Sequence, residues 1–184
     1  MVFVNAFECL FVWWCMDRIM AFVDAANVFK SAQQHAKRSG GFVFDYGKLV
    51  GWIERNGVFI RSYYYDGAPH RLQLSRSRAR LFDRLRVWGY TLRLKEVDPT
   101  SPHASQKGVD IALTSDMISL AYEDAYDIAI IASGDGDYES LIEIVKSKGK
   151  RVWVLSFSHS LSWRLAESAD RVVRIDDDPG SFGS

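Results

Sequence analysis

Three short acidic clusters set out the chemistry available to this chain. In Phe22-Val23-Asp24-Ala25-Ala26-Asn27, Asp24 closes an apolar run. Lys107-Gly108-Val109-Asp110 continues to Asp116. Ser133-Gly134-Asp135-Gly136-Asp137 directly follows the apolar run from Tyr126. Gly134 and Gly136 let the chain turn sharply and bring both carboxylates forward. Ionised carboxylates packed together repel, and a divalent cation offsets that repulsion. Mg2+ and Mn2+ suit all-oxygen donors and keep several waters. Such an ion activates water and stabilises the charge that builds on a phosphodiester. That chemistry asks for no His or Cys, and none stands in these clusters.

Each cluster also has a plainer reading. An Asp after a strand is often a helix cap, and Asp-Gly-Asp is a common turn. Asp137 is a natural cap for the helix after it, and Asn27 can satisfy loop backbone groups. Asp116 lies six residues beyond Asp110, off that helical face, and reads as structural or supporting. What argues for a site is all three clusters together, each at a strand end or on the helix between.

The elements that must position these acids follow from patterning. Arg18 to Asp24 is an apolar run ending in an acid, hence a buried strand. Ala25 to Arg38 is rich in helix formers and stops at Gly40-Gly41. Asp45 caps a second helix, Tyr46 to Asn56, with Leu49, Trp52 and Ile53 on one face and Gly57 as its stop. Val58 to Tyr65 is a strand, and Asp66-Gly67 with Pro69 a turn. His70 to Trp88 is a long helix with Leu74, Leu81, Leu85 and Trp88 as its buried stripe. Tyr90 to Val97 is a strand and 98–106 a polar loop. Then come a helix (Gly108 to Tyr122), a strand (Tyr126 to Ser133) and a helix (Tyr138 to Lys148). Arg151 to Phe157 is a strand, Ser160 to Ser168 a short helix, and Arg171 to Ile175 a last strand.

This alternation predicts an α/β fold with a parallel sheet covered on both faces. Ligands of open α/β sheets sit beyond the carboxyl ends of the strands. If the two most apolar strands are neighbours, Asp24 and Asp135 share one sheet edge, Asp137 lies close by, and Asp110 reaches over from its helix.

The chain divides as 1–17, an apolar opening; 18–176, one domain; and 177–184, a tail that reads as disordered. The opening, MVFVNAFECLFVWWC, is too short to span a bilayer and lacks the charge and cleavage pattern of a signal peptide. It reads as an extension from an early start codon, with a docking arm as the alternative. The 184 residues, 48% of them apolar, allow one domain with a real core. A formal net charge of zero argues against a strongly basic, non-specific nucleic-acid binder. The two cysteines, Cys9 and Cys15, make no disulfide framework or metal cluster, so a reducing, cytoplasmic setting is expected, with no membrane role.

In combination, FVDAANVF, KGVDIALTSDM and IASGDGDYESLIEIVKSKGKRVWVL resemble the NYN domain, specifically its LabA-like branch within the PIN-like nuclease superfamily. The likeness runs from about Ile19 to Ile175. It implies a Rossmann-like three-layer α/β/α sandwich and metal-dependent RNA cleavage. Carried over by position, the acidic catalytic and metal site falls on Asp24, Asp110, Asp135 and Asp137, with Mg2+ or Mn2+ as cofactor. Asn27 takes the place of the family's Asn after the first acid. Lys107 stands in its Lys-Gly-x-Asp motif, and Asp116 at a further acidic position. With Ser133, these read as residues that support the site or touch substrate. Two departures stand out. Ala25-Ala26 fills a stretch where the family usually has Gly or a similar small residue. Gly136 replaces the more common Ser, at the cost of one hydroxyl.

Arg76, Arg80 and Arg84 recur every four residues and form one stripe, with Arg71, Arg78 and Arg86 nearby. The stripe is either a solvated face or a phosphate-contacting guide for a single RNA strand. Tyr63 to Tyr65 offer a base-stacking platform if one of them lies outside the core. His103 is a loop residue; His159 and Trp163 read as cap-region and core residues. The leading expectation is therefore a metal-dependent ribonuclease acting on single-stranded RNA. The alternative is a regulatory module that binds RNA or protein without cutting, and a homodimer stays open. A phosphatase-type site needs a second acid two residues after the first; Ala26 stands there, which sets that reading aside.

Overall fold

Strand β1 (Arg18–Asp24) is buried along nearly its whole length. A strand achieves that only with paired neighbours on both edges and helices over both faces. Its neighbours are β2 (Val58–Ala68) on one side and β4 (Ile128–Ala132) on the other, both parallel to it. Beyond them lie β3 (Tyr90–Glu96), β5 (Arg151–Ser156) and β6 (Arg171–Arg174). The six-stranded sheet has the order β3-β2-β1-β4-β5-β6, and every pair is parallel. This computed structural model describes residues 16–68, 74–96 and 108–183. The apolar opening segment, residues 70–73 of the helix expected from His70, the loop carrying His103, and Lys107 lie outside them; that helix starts at Arg76, capped by Ser75.

Alternation along the strands sorts side chains to two cores. Ala21, Val23, Ile130 and Leu155 face one layer of helices: α1 (Ala25–Ser39), α2 (Tyr46–Asn56) and α3 (Arg76–Val87). Met20, Phe22, Ile131 and Val154 face the other: α4 (Val109–Tyr122), α5 (Glu139–Ser147) and α6 (Trp163–Ser168). The result is the expected three-layer α/β/α sandwich. The chain builds β1, β2 and β3 in one direction, then crosses back to lay β4, β5 and β6 in the other. The reversal between β1 and β4 opens a crevice at their carboxyl ends, the usual ligand position in such sheets.

Local chemistry explains the helix ends. Asp45 accepts the backbone N–H of Gly47 at 2.8 Å and of Lys48 at 3.1 Å, capping α2 as expected. Gly40 ends α1 with φ 84°, a left-handed conformation that a side chain disfavours. At the far edge of the sheet, Arg18 clasps Asp127 at 2.8 and 3.0 Å, locking the amino ends of β1 and β4 together.

Three expectations need correction. The expected turn at Asp66-Gly67 is strand: Asp66, Gly67 and Ala68 pair with Leu94, Lys95 and Glu96, which extends β2 past Tyr65. The buried stripe of α3 centres on Phe82 and Leu85, while Leu74, Leu81 and Trp88 pack at its margin. The tail described to 183 is ordered. Phe182 is 1% exposed and packs on Trp52, and its carbonyl accepts from the Asp45 N–H at 2.8 Å. Lys48 adds bonds to the Gly180 and Gly183 carbonyls. One buried aromatic and these polar ties outweigh the disorder that the acidic, glycine-containing composition suggests.

Candidate active site

Register puts a row of polar side chains across the carboxyl edge of the sheet. Asp24 pairs with Tyr65, and Tyr65 with Arg93. On the other side Val23 pairs with Ala132, so Ser133 follows beside Asp24. Because side chains alternate, all four point to the α4–α5 face.

Asp24 is the fixed centre. It is 6% exposed. One carboxylate oxygen accepts the Asn27 N–H at 3.1 Å, capping α1, and the other accepts the Ser133 hydroxyl at 3.2 Å. Burial pushes its pKa above the ordinary carboxylate range; the Asn27 and Ser133 bonds pull the other way, and the charges of Asp110 and Asp135 push it up further. The side-chain oxygen of Asn27 accepts the Gly134 N–H at 3.0 Å and so ties the loop after β4 to α1. Ser133 in turn accepts the Asp135 N–H at 3.2 Å.

Tyr138 is a functional candidate that sequence reasoning missed. Its hydroxyl donates to Asp110 at 3.0 Å and lies 3.5 Å from Asp24. One phenol thus joins the first acidic cluster to the second, and it sits at the end of the third. Burial first, then the charges of Asp24 and Asp110, drive its pKa well up, so it stays a donor at any physiological pH. Its aromatic type beside Asp137 was the available signal, but it was read only as a helix start.

Asp135 and Asp137 are both exposed, and the Asp137 N–H donates to Asp135 at 3.1 Å. Asp135, not Asp137, is therefore the cap here, closing the single 3-10 turn Gly136–Tyr138. The glycines are needed for space. A Cβ on Gly134 would run into the Ser160 carbonyl oxygen and lie 2.8 Å from the Ser156 hydroxyl; one on Gly136 would lie 2.7 Å from the Ser162 hydroxyl. Neither has a positive φ.

The donor set is oxygen throughout, which fits Mg2+ or Mn2+ rather than a softer ion. Among the described residues, no three His, Cys, Asp or Glu side chains already converge as metal ligands. Asp24 is held by two bonds, Asp110 by the Tyr138 hydroxyl and Asp135 by the Asp137 N–H, and the last two carboxylates are exposed.

A match to the NYN domain family covers residues 18–176. The chain belongs to the NYN domain family. Membership carries a nuclease-like, RNA-related role at that coarse level. This NYN domain is also similar to Low amplitude and bright protein LabA of Synechococcus elongatus: 26% identical over 169 residues, covering 88% of this chain and 85% of that protein. A protein of unknown function from Vibrio parahaemolyticus, known from a crystal structure, shares the fold. Its TM-score is 0.75 at 24% identity, over 92% of this chain and 97% of that one.

Other expected residues of this NYN domain fall away from the acids. Asp116 is engaged elsewhere, accepting from Tyr65 at 3.0 Å and from Arg93 at 2.8 Å. Lys95, on the same face of β3, lies against Gly108 at the start of α4, where φ is 105°. Period-2 alternation along β3 was the signal for Arg93 and Lys95 as a basic flank. Arg76, Arg80 and Arg84 are exposed on α3. Arg78 bonds Asp66 at 2.6 Å, which sets the start of α3 beside the carboxyl end of β2. Arg84 is then about 12 Å further from the sheet edge than Arg76. Tyr63, Tyr64 and Tyr65 are all buried and offer no stacking face. Trp163, expected in the core, is 69% exposed. No helix among the described residues is long and apolar enough to cross a membrane.

Proposed function

We propose that this NYN domain is a metal-dependent ribonuclease that hydrolyses phosphodiester bonds of single-stranded RNA at the β1–β4 crevice. The observation that carries the reading is Asp24: a buried carboxylate with raised pKa, facing the carboxylates of Asp110 and Asp135. Burying one negative group beside two others is unfavourable, and either a proton or a bound cation offsets that cost.

Asp24 and Asp135 would hold Mg2+ or Mn2+, with Asp110 and Asp137 completing the shell directly or through water. When bound, the ion supplies an activated water and offsets charge on the phosphate. The chain's own residues do the rest. Tyr138 aims Asp110 and shares its position with Asp24. Ser133 and Asn27 hold the loop after β4 against α1, which fixes Asp135. Arg93 and Lys95 give the strand's phosphates a basic flank, and Lys107 of the Lys-Gly-x-Asp motif would neutralise a phosphate. The Arg76, Arg80 and Arg84 stripe leads away from the same edge. A reducing, cytoplasmic setting accords with this reading. The test is cleavage of a mixed RNA pool with Mn2+ by the parent chain and by Asp24→Asn and Asp135→Asn. Loss of cutting in folded variants supports the mechanism; full activity in both removes it.

A second reading has its own support. The Tyr138 hydroxyl donates to Asp110 at 3.0 Å and lies 3.5 Å from Asp24, so the protein's own side chain ties these acids together. A domain satisfied in that way can bind RNA or a protein without cutting. Thermal melting with and without Mn2+, paired with the cleavage assay, separates the two: metal-dependent stabilisation without cleavage favours the binding module.

A further inference from the structure

The expected stacking residues, Tyr63 to Tyr65, are buried, yet one large aromatic beside the acids is not. Trp163 opens α6 with 69% of its surface exposed. Exposed apolar side chains are common on a protein surface, and what singles out this indole is its place in the fold. Ser162, just before it, donates its N–H to the Gly134 carbonyl at 2.9 Å. The Ser162 hydroxyl faces Gly136, between Asp135 and Asp137. α6 packs against the 3-10 turn Gly136–Tyr138 that carries Asp137. The indole is therefore anchored to the same backbone that presents the exposed acids. Arg164 stands over the indole, its guanidinium 5.6 Å from the ring centroid. A cation thus lies over the ring, and most of the residue's surface is open to solvent.

We propose that Trp163 stacks on an unpaired nucleobase of an RNA strand that passes the turn carrying Asp135 and Asp137, with Arg164 backing the ring and adding charge for a neighbouring phosphate. This rests on the RNA reading above and adds where the strand leaves the crevice: across α6, opposite the Arg93 and Lys95 flank. Stacking on an indole is tolerant of base identity, because every base has a π-face, but it requires a base to be free of a duplex. The proposal thus specifies single-stranded RNA, read by shape and not by sequence.

The experiment measures binding, so it does not depend on turnover. Full-length chain carrying Asp24→Asn is titrated into a short fluorescein-labelled oligouridylate, with Trp163→Ala and Trp163→Phe added on that background and folding checked by circular dichroism. Trp163→Ala is expected to weaken binding about tenfold, while Trp163→Phe, which keeps a ring, retains most of the affinity. An abasic oligomer of the same length is expected to bind the Trp163→Ala chain and its parent alike. Equal oligouridylate affinity for Trp163→Ala and its parent overturns the proposal, as does an equal loss on the abasic oligomer. If Asp24→Asn still cuts RNA, the catalytic reading fails while the binding comparison still decides on Trp163. If none of these chains binds RNA, both fall.

Discussion

The Tyr138 phenol stands between Asp110, at 3.0 Å, and Asp24, at 3.5 Å. One hydroxyl hydrogen serves one acceptor well, so the bond to Asp110 is the strong one and the Asp24 contact is marginal. Tyr138 therefore acts mainly as a tether: it holds an exposed carboxylate on α4 toward a buried one on β1.

Removing that tether should loosen Asp110 without opening the core, because the ring stays. For Tyr138→Phe the expected result is about a tenfold rise in the Mn2+ concentration needed for half-maximal cleavage, with little change in melting temperature. Metal titrations of the cleavage rate check this. An unchanged metal requirement would show that the phenol does not organise the acids.

Asp24→Asn should separate the cost of the buried charge from its use. Asn caps a helix about as well as Asp, so the bond from the Asn27 N–H survives. A carboxyl whose folded pKa is raised binds more protons folded than unfolded, so its ionisation lowers stability as pH rises from the ordinary carboxylate range through the folded value. In EDTA at neutral pH the variant is therefore expected to melt higher, by about 3 °C for each ~1 kcal/mol relieved. The gap should shrink toward low pH, where the native acid is protonated in both states. Mn2+ should then stabilise the parent and not the variant. A variant that melts lower at neutral pH in EDTA would contradict the charge argument.

The two glycines of the third cluster should respond differently to alanine. At Gly134 the obstacle includes the backbone carbonyl of Ser160, which cannot step aside. At Gly136 it is the Ser162 hydroxyl, which can. Urea denaturation is expected to show a loss of about 2 kcal/mol or more for Gly134→Ala and clearly less for Gly136→Ala. Adding Ser162→Ala should restore most of the second loss and none of the first. Equal losses would mean that turn geometry, not crowding, selects glycine.

The arginine stripe on α3 makes a salt-dependent prediction. Replacing Arg76, Arg80 and Arg84 with Gln should weaken RNA binding at low salt and flatten the log–log salt dependence by about 2, if all three meet phosphates of a single strand. Because Arg84 lies farthest from the crevice, Arg84→Gln alone should matter least on short oligomers. An unchanged slope in the triple variant would leave the stripe as a solvated face.

Most of the sheet was legible because each strand is a short apolar run flanked by helix stops, and that pattern is local. Asp24 and Asp45 were legible for the same reason: a cap acts within one turn of its own helix. What escaped depends on distant partners. β2 runs to Ala68 because β3 pairs with it there. The tail is ordered because Trp52 and Lys48 receive it. Asp116 read as structural or supporting, but its partners, Tyr65 and Arg93 from two strands, were not visible in the pattern. Trp163 was misjudged because an aromatic is assigned to the core by type, and the Tyr138 hydroxyl went unnoticed because its partner Asp110 comes from a different helix.

The crossing from β3 back to β4 has a consequence for how the molecule comes to life. Ser133 reaches Asp24 across a separation of 109 residues, and the clasp of Arg18 on Asp127 spans as many. Contacts so remote in sequence form late, after loop-closure entropy has been overcome. The acids therefore come from both halves of the sheet, and the crevice exists only where the two halves are assembled side by side.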